Sequence, residues 1–241
     1  VSTPKNEQIQ YCVDADHSTG NNCDFIEWTC HNNIRRAIMH KITLDEVSLT
    51  PSKIVCIGRN YAAHIEELGN EVPDDMVVFC KPNSAISQTL YSHHGEPLHY
   101  ESELAFVVIG GDLRGVGFGL DLTKRGLQAE LKIKGLPWER AKSFDGSALF
   151  GPFTIFPENI EELSLSLTIN GDLRQAGGVE LMMYKPPLIM SELKKFMSLE
   201  DGDIIMTGTP AGVGQVRPGE NFEGRVLAGD KVLSTVHWVA Q

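Results

Sequence analysis

The sequence predicts a β-rich α+β domain. Three observations carry that reading: apolar runs of strand length outnumber helix-like stretches, glycine and proline punctuate the chain often, and no repeat period is visible. The 241 residues suffice for one large domain with a substantial core. Apolar residues at 41% and charged residues at 22% are ordinary for a folded chain and set disorder aside.

The elements follow in order. Residues 1–50 are polar with weak periodicity and read as an N-terminal extension or small subdomain, in which Asp24 to Leu44 has room for a strand and a short helix. From Pro51 the pattern changes, and residues 51–241 read as the main domain. Ser52–Gly58 is a short apolar run ending in glycine, as a buried strand does. Asn60 is placed to cap a helix from Tyr61 to Leu68, closed by Gly69. Further strands are predicted at Met76–Lys81, Leu104–Ile109, Gly117–Leu122, Leu163–Ile169, Asp203–Thr207 and Lys231–His237. Asn170-Gly171 marks a hairpin turn. Helices are predicted at Lys124–Lys134 and Pro187–Met197.

Charge and composition narrow the function. A formal net charge of −11 disfavours nucleic acid and anionic membranes as partners, because basic patches supply most of that attraction. No apolar run reaches membrane-span length, and VSTPKNEQIQ lacks the basic start and apolar stretch of a secretory signal. Five cysteines, an odd and sparse set, do not make a disulfide framework, which points to a reducing cytoplasm. Cys12, Cys23 and Cys30 lie near His17, His31 and His40, but without a C-x2-C pair the spacing argues against zinc.

The chemistry-bearing residues begin with Glu101-Ser102-Glu103, which leads directly into an apolar run. On a strand, positions i and i+2 share a face, so these two carboxylates lie side by side and repel unless a cation or proton sits between them. Asp121 poses the same question inside a second apolar stretch. Three such carboxylates suit a hard divalent cation. Taken alone, E-x-E reads more readily as the solvated face of an edge strand. His64 and Glu67 share one face of their helix, and a carboxylate on one imidazole nitrogen makes the other a better base. Alone, the pair reads as an ordinary surface contact. Arg125 and Gln128 share a helical face, and Lys142 follows the stiff Gly135-Leu136-Pro137-Trp138. The run Thr207-Gly208-Thr209-Pro210-Ala211-Gly212 offers backbone amides to an oxyanion, yet lacks the lysine of a phosphate loop.

Taken in order, IGRNYAAHIEEL, FCKPNSAI, HYESELAFVV, GLDLTKRGLQ, KGLPWERAKSFDGSALFGPF, INGDLRQ and GDIIMTGTPAGVG resemble the fumarylacetoacetate hydrolase family over residues 52–239. The short acylpyruvase and oxaloacetate decarboxylase-like branch is the nearest in pattern. The resemblance implies a mixed β-sandwich roll of the family's C-terminal-domain type, assembled as a homodimer. It implies Glu101, Glu103 and Asp121 as ligands of Mg²⁺ or Mn²⁺, with Ca²⁺ also suited. It implies His64 and Glu67 as a dyad on a segment able to act as a lid, and Lys142 as a catalytic lysine. Arg125, Gln128 and Thr209 match substrate-contacting positions, with Arg59 close by in GRNY.

The implied chemistry is cleavage of a C–C bond in a small 2-oxo acid, by acylpyruvate hydrolysis or oxaloacetate decarboxylation, through a metal-stabilised enolate. The alternative is an isomerase or hydratase acting on diacids of the 2-hydroxymuconate or 2-hydroxyhepta-2,4-diene-1,7-dioate type. The dyad weighs toward hydrolysis, since a proton shuffle needs no activated water. A catalytically silent binding protein is expected to lack ligands or dyad, and this sequence lacks neither. Two departures stand out. The family places a longer, partly helical connection where only Gly110 to Val116 separate two strands here, and the segment before Pro51 is longer than in minimal members.

Overall fold

A computed structural model describes residues 39–67, 69, 73–156 and 159–241. The Cys12, Cys23 and Cys30 group, with His17 and His31, lies outside the described residues, as does most of the Asp24–Leu44 stretch. Among the described residues the first elements are a small hairpin, β1 (Ile42–Leu44) and β2 (Val47–Leu49). β3 (Lys53–Gly58) leads to α1 (Ala62–Glu67), and β4 (Val77–Pro82) returns antiparallel to β3. Two short strands follow, β5 (Ile86–Ser87) and β6 (Leu98–Tyr100). β7 (Ser102–Ile109) and β8 (Asp112–Asp121) form a long hairpin. β9 (Thr123–Lys124), α2 (Arg125–Ile133) and α3 (Glu139–Lys142) precede β10 (Ala148–Phe150) and β11 (Thr154–Ile155). β12 (Leu163–Ile169) and β13 (Asp172–Gly178) make a second hairpin, followed by α4 (Pro186–Leu193). β14 (Ile204–Met206), β15 (Gly214–Gln215), β16 (Asn221–Ala228) and β17 (Lys231–Val239) complete the chain.

The main sheet runs β4-β3-β14-β7-β8-β10-β5, with β11 added to β8, and it is mixed: β3 pairs parallel with β14, and β10 with β5. A four-stranded antiparallel sheet, β13-β12-β16-β17, packs on one face of it. Leu104, Phe106, Phe118 and Leu120 from the main sheet meet Leu165, Leu167, Phe222 and Val226 from the second, all buried. On the other face, Ile54 of β3 and Ile86 of β5 share one apolar cluster with Ala105, Val107 and Phe150, although their strands stand at nearly opposite ends of the sheet. Only a sheet that curls on itself brings those ends together. This is the mixed, curled β-roll that the sequence implies.

Glycine on β8 makes room for packing inside the roll. Gly115, Gly117 and Gly119 alternate along β8, facing the inside of the roll. A Cβ on them would stand 2.5 Å from Leu44, 2.8 Å from Phe153 and 3.0 Å from Met206 respectively. The absent side chains are the space those three groups fill. Leu44 brings the N-terminal hairpin into this cluster, and Asp45 and Thr43 bond the backbone of Phe153, so packing reaches N-terminal of Pro51.

The short connection after Ile109 is a hairpin turn rather than a loop. β8 begins at Asp112, not at the expected Gly117, and Gly110 and Gly111 take φ of 61° and 79°, as a tight two-residue turn requires. Asn170 and Gly171 do the same between β12 and β13, as predicted. The capping role expected of Asn60 is overturned. Its buried amide instead donates to the carbonyls of Tyr184 and Thr207 and accepts from the Tyr184 amide, which fastens three separate stretches of chain together. Asp203 is a second fastening: its carboxylate takes the Ser52 and Lys53 amides and the Lys53 ammonium at 2.5 Å. No helix among the described residues is long and apolar enough to cross a membrane.

Candidate active site

The alternation of β7 decides where its acids go. Glu101, Glu103, Ala105 and Val107 project to the inside of the roll, and Gly119 lies directly opposite Glu103. Asp121, two residues on, ends β8 beside Glu101, whose carbonyl accepts its amide at 2.8 Å. The apolar filling of the roll stops at Ala105, and the three carboxylates occupy the next layer. They are 6%, 2% and 1% exposed, so the edge-strand alternative for E-x-E does not hold: β7 is a central strand, buried on both faces. One oxygen of each lies within 4.8 Å of one of each other, the spacing of ligands around a single ion.

Two lysines reach into this layer. Lys142, at the end of α3 and 1% exposed, places Nζ at 2.7 Å from Glu101, 2.8 Å from Asp121 and 2.6 Å from the Thr123 hydroxyl. Lys81, at the end of β4 and fully buried, stands 2.8 Å from the other Asp121 oxygen. That contact is an ion pair without hydrogen-bond alignment, because Lys81 Nζ donates to the carbonyls of Lys142 and Ser147. Arg125 closes on the second oxygen of Glu101 and bonds Gln128 at 2.9 Å.

The electrostatics are uneven. Burial alone would raise the Glu101 carboxyl, but Lys142 and Arg125 outweigh it and hold it well below the usual carboxylate range. Burial, together with Asp121 and Glu101, pushes Glu103 well above that range. Its one backbone partner is the Gly208 amide at 2.7 Å. Burial also works against the Lys142 charge, yet Asp121 and Glu101 overcome it and raise its pKa. Glu103 is therefore the acid that a cation would relieve most. Three buried oxygen donors of hard character, one of them with its ionisation opposed by burial and its acidic neighbours, fit a divalent cation such as Mg²⁺ or Mn²⁺.

The opposite side of the pocket comes from α1 and the glycine-rich loop after β14. His64 Nδ1 lies 3.4 Å from Glu67, and both Glu67 oxygens accept the Gly212 amide at 3.1 Å. Burial lowers the His64 pKa despite Glu101 and Glu67, which pull it upward. The imidazole is therefore neutral near pH 7. Gly212 must be glycine, since a Cβ would stand 2.0 Å from the Arg174 carbonyl oxygen at a φ of 100°. Thr209 Oγ1 accepts from the buried Gln175 amide at 2.8 Å, and Gln175 in turn accepts from the Ser102 amide between the two glutamates.

A single pocket of about 450 Å³, its open mouth included, is lined by Arg59, His64, Glu101, Glu103, Asp121, Arg125, Gln128, Lys142 and Thr209. Every candidate from the sequence lines it except Glu67, which stands behind His64. Phe79, Lys132 and Trp138 also line it and were not anticipated, nor were Lys81 and Gln175, which hold lining residues from behind.

The sequence profile of the fumarylacetoacetate (FAA) hydrolase C-terminal family matches residues 53–237, and the chain belongs to that family. Among its relatives is the oxaloacetate tautomerase YcgM of Escherichia coli, 39% identical over 200 residues that take in 73% of this chain and 90% of the relative. The mitochondrial oxaloacetate tautomerase FAHD1 of Bos taurus is 41% identical over 192 residues, 72% of this chain and 86% of the relative. In three dimensions the chain is similar to fumarylpyruvate hydrolase from Pseudomonas aeruginosa, solved in complex with Mn²⁺ and pyruvate. The TM-score is 0.74 at 29% identity, over 83% of this chain and 95% of that one. This chain is a 2-oxo-acid-processing enzyme of that family.

Proposed function

We propose that the chain interconverts the enol and keto forms of a short 2-oxo acid of the oxaloacetate type. The observation that carries this reading is the buried triad Glu101, Glu103 and Asp121 at ligand spacing, on the floor of a pocket otherwise rich in cations. The two relatives named oxaloacetate tautomerase support the choice of reaction. Glu101, Glu103 and Asp121 would hold Mg²⁺ or Mn²⁺, which when bound supplies Lewis-acid polarisation of the 2-keto group.

The remaining roles fall to the protein's own side chains. Lys142 stays protonated and gives fixed positive charge beside the oxygen that gains electron density as the enol forms. Arg125 and Gln128 orient the proximal carboxylate. The Thr209 oxygen accepts from Gln175 and its hydroxyl donates to Pro210 O only over a long 3.5 Å, a weak bond that a substrate oxygen would displace. His64 carries a proton to and from the carbon beside the keto group through Nε2, because Nδ1 faces Glu67.

A second reading, C–C cleavage by acylpyruvate hydrolysis or oxaloacetate decarboxylation, passes through the same enolate. The His64–Glu67 contact favours it, since that pair suits activation of a water, as does the likeness to a fumarylpyruvate hydrolase. One experiment tests both. Oxaloacetate enriched in its enol is mixed with the Mn²⁺-loaded protein, and the loss of enol absorbance is followed beside pyruvate and CO₂ release. Fast enol decay without pyruvate supports tautomerisation. Stoichiometric pyruvate moves the assignment to cleavage. No acceleration of either, with acetylpyruvate also inert, ends both readings.

A further inference from the structure

β13 is the edge strand of the second sheet, and its residues are exposed or glycine except for Gln175. A bulge aims that side chain. On β12, Leu167 faces Gln175 but Thr168 faces Leu173, so Arg174 is an extra residue in β13. Strict alternation would put Leu173 and Gln175 on the same side of the sheet. The slip separates them: Leu173 is 64% exposed and Gln175 only 1%. Gln175 is thereby turned inward, against the start of β7 and the loop after β14.

The chemistry of its partners fixes which way the Gln175 amide lies. The Ser102 N–H can only donate, so it takes Oε1, at 2.9 Å. The Pro210 carbonyl can only accept, so Nε2 faces it, at 2.8 Å. The same Nε2 gives its second proton to Thr209 Oγ1, also at 2.8 Å. Thr209 is thus held as an acceptor, and its single proton must point elsewhere. The Pro210 oxygen offers that proton only a 3.5 Å contact and already accepts from Gln175. Thr209 lines the pocket, and Gln175 stands behind it.

We infer that Gln175 is a positioning residue for the substrate: by occupying the Thr209 oxygen and the Pro210 carbonyl together, it leaves the Thr209 hydroxyl proton for a carboxylate oxygen of the bound 2-oxo acid. The inference rests on the role given to Thr209 above. It deepens that role, since the polarity of the hydroxyl is set by a residue that does not line the pocket. A hydroxyl that already accepts a hydrogen bond is also a better donor, because chained bonds polarise one another. Removing Gln175 opens the Pro210 carbonyl, which then competes for the Thr209 proton. A charge-assisted hydrogen bond of this kind is worth about 10- to 100-fold in affinity. Gln175 also holds the backbone between Glu101 and Glu103, so an effect through the metal is the competing account, and the two differ in what they move.

The test measures pyruvate binding by calorimetry on the Mn²⁺-saturated wild type, Gln175→Met, Thr209→Val and the double variant, beside Mn²⁺ affinity and oxaloacetate kinetics. Each single substitution is expected to weaken pyruvate binding by about 10- to 100-fold. The double variant should stay within about threefold of the weaker single, because both substitutions remove the same bond to the substrate. In Gln175→Met, KM for oxaloacetate should rise by a similar factor, with kcat within about threefold of the wild type. Losses that multiply in the double variant overturn the inference. So does a Gln175→Met protein that loses Mn²⁺ affinity yet binds pyruvate normally once saturated with metal. If Gln175→Met does not fold, the wild type decides: in its Mg²⁺ form, pyruvate should shift the side-chain amide resonances of Gln175, and should not do so in Thr209→Val. No shift in the wild type, or one that persists in Thr209→Val, refutes the inference. A wild type that binds pyruvate but leaves enol and keto oxaloacetate at their uncatalysed rate ends the enol–keto reading, and the pyruvate measurements still decide Gln175. One that binds neither acid ends both.

Discussion

The floor and the roof of the pocket are built by different means. Glu101, Glu103 and Asp121 stand on the two central strands of a curled sheet, packed on both sides, and their positions are set by strand register. His64 and Glu67 stand on a helix of six residues, too short to hold its shape alone. Its place is set by buried Ile65 and by the Glu67–Gly212 contacts at 3.1 Å. Charge is thus collected on strands fixed by register, and the proposed mechanism gives proton transfer to a side chain on a short helix. If this division is right, floor variants should lose the metal, and roof variants should keep it.

The largest expected effect is on the floor. Glu103→Ala should cut metal affinity and lower kcat/KM by on the order of 10³-fold or more. Metal analysis of the purified variant, beside its kinetics, checks both. Glu103→Gln keeps an acceptor for the Gly208 amide and replaces a carboxyl whose ionisation burial, Asp121 and Glu101 oppose. Its metal-free form should therefore melt no lower than the metal-free wild type. A variant that still binds Mn²⁺ at full strength would break the floor's half of the comparison. Next comes the roof: His64→Asn should lower kcat by about 10²- to 10⁴-fold with metal affinity unchanged. Parallel loss of metal there would show that roof and floor are one unit.

The same division explains what was legible in the sequence. The fold class, the long strands and the Asn170-Gly171 turn follow from period and turn chemistry, which are local. β13 was invisible because Asp172–Gly178 is polar and mostly exposed except at Gln175 and the glycines. β16 was masked by Gly224, which breaks the apolar alternation because Phe118 fills its side-chain space, a Cβ there standing 2.5 Å from the ring. On the floor, spacing put Glu101 and Glu103 on one face, but their burial depends on β8 and β14 flanking β7, which no local pattern reveals. Lys81 was passed over for the same reason. A lysine at the end of an apolar strand reads as an exposed end, and only the fold turns it inward to Asp121. The sequence reading placed C–C cleavage first, with an isomerase or hydratase of 2-hydroxymuconate-type diacids as the alternative, and did not name oxaloacetate tautomerisation.

Lys81 offers the next, smaller test. Lys81→Met removes one of the two lysines paired with Asp121, leaving Lys142, and frees the Lys142 and Ser147 carbonyls. Breaking a buried pair of this kind costs about 3–5 kcal/mol of stability, and loss of such support around a ligand lowers metal affinity by about 10- to 100-fold. Thermal melting and Mn²⁺ titration read the two effects separately. Melting that falls while metal affinity holds would make Lys81 a fold element rather than a part of the floor.

The smallest effect is the most discriminating, because its sign is fixed in advance. Under the proposed mechanism His64 is a neutral base, so kcat/KM should fall on the acid side as the imidazole protonates, with a midpoint below that of an ordinary histidine because burial disfavours the charge. Glu67 opposes that shift through its hydrogen bond and its charge. Glu67→Gln retains a carbonyl for the Gly212 amide but loses the charge that helps the imidazolium. The acid limb should therefore move to lower pH, while the plateau drops by about tenfold because the base is weaker and less well oriented. An acid limb displaced upward would mean that Glu67 does not stabilise the protonated ring. One that does not move would mean that the 3.4 Å contact is too weak to tune it. In either case the roof's chemistry would rest on His64 alone, and the case for an activated water, and with it the hydrolytic reading, would lose its structural support.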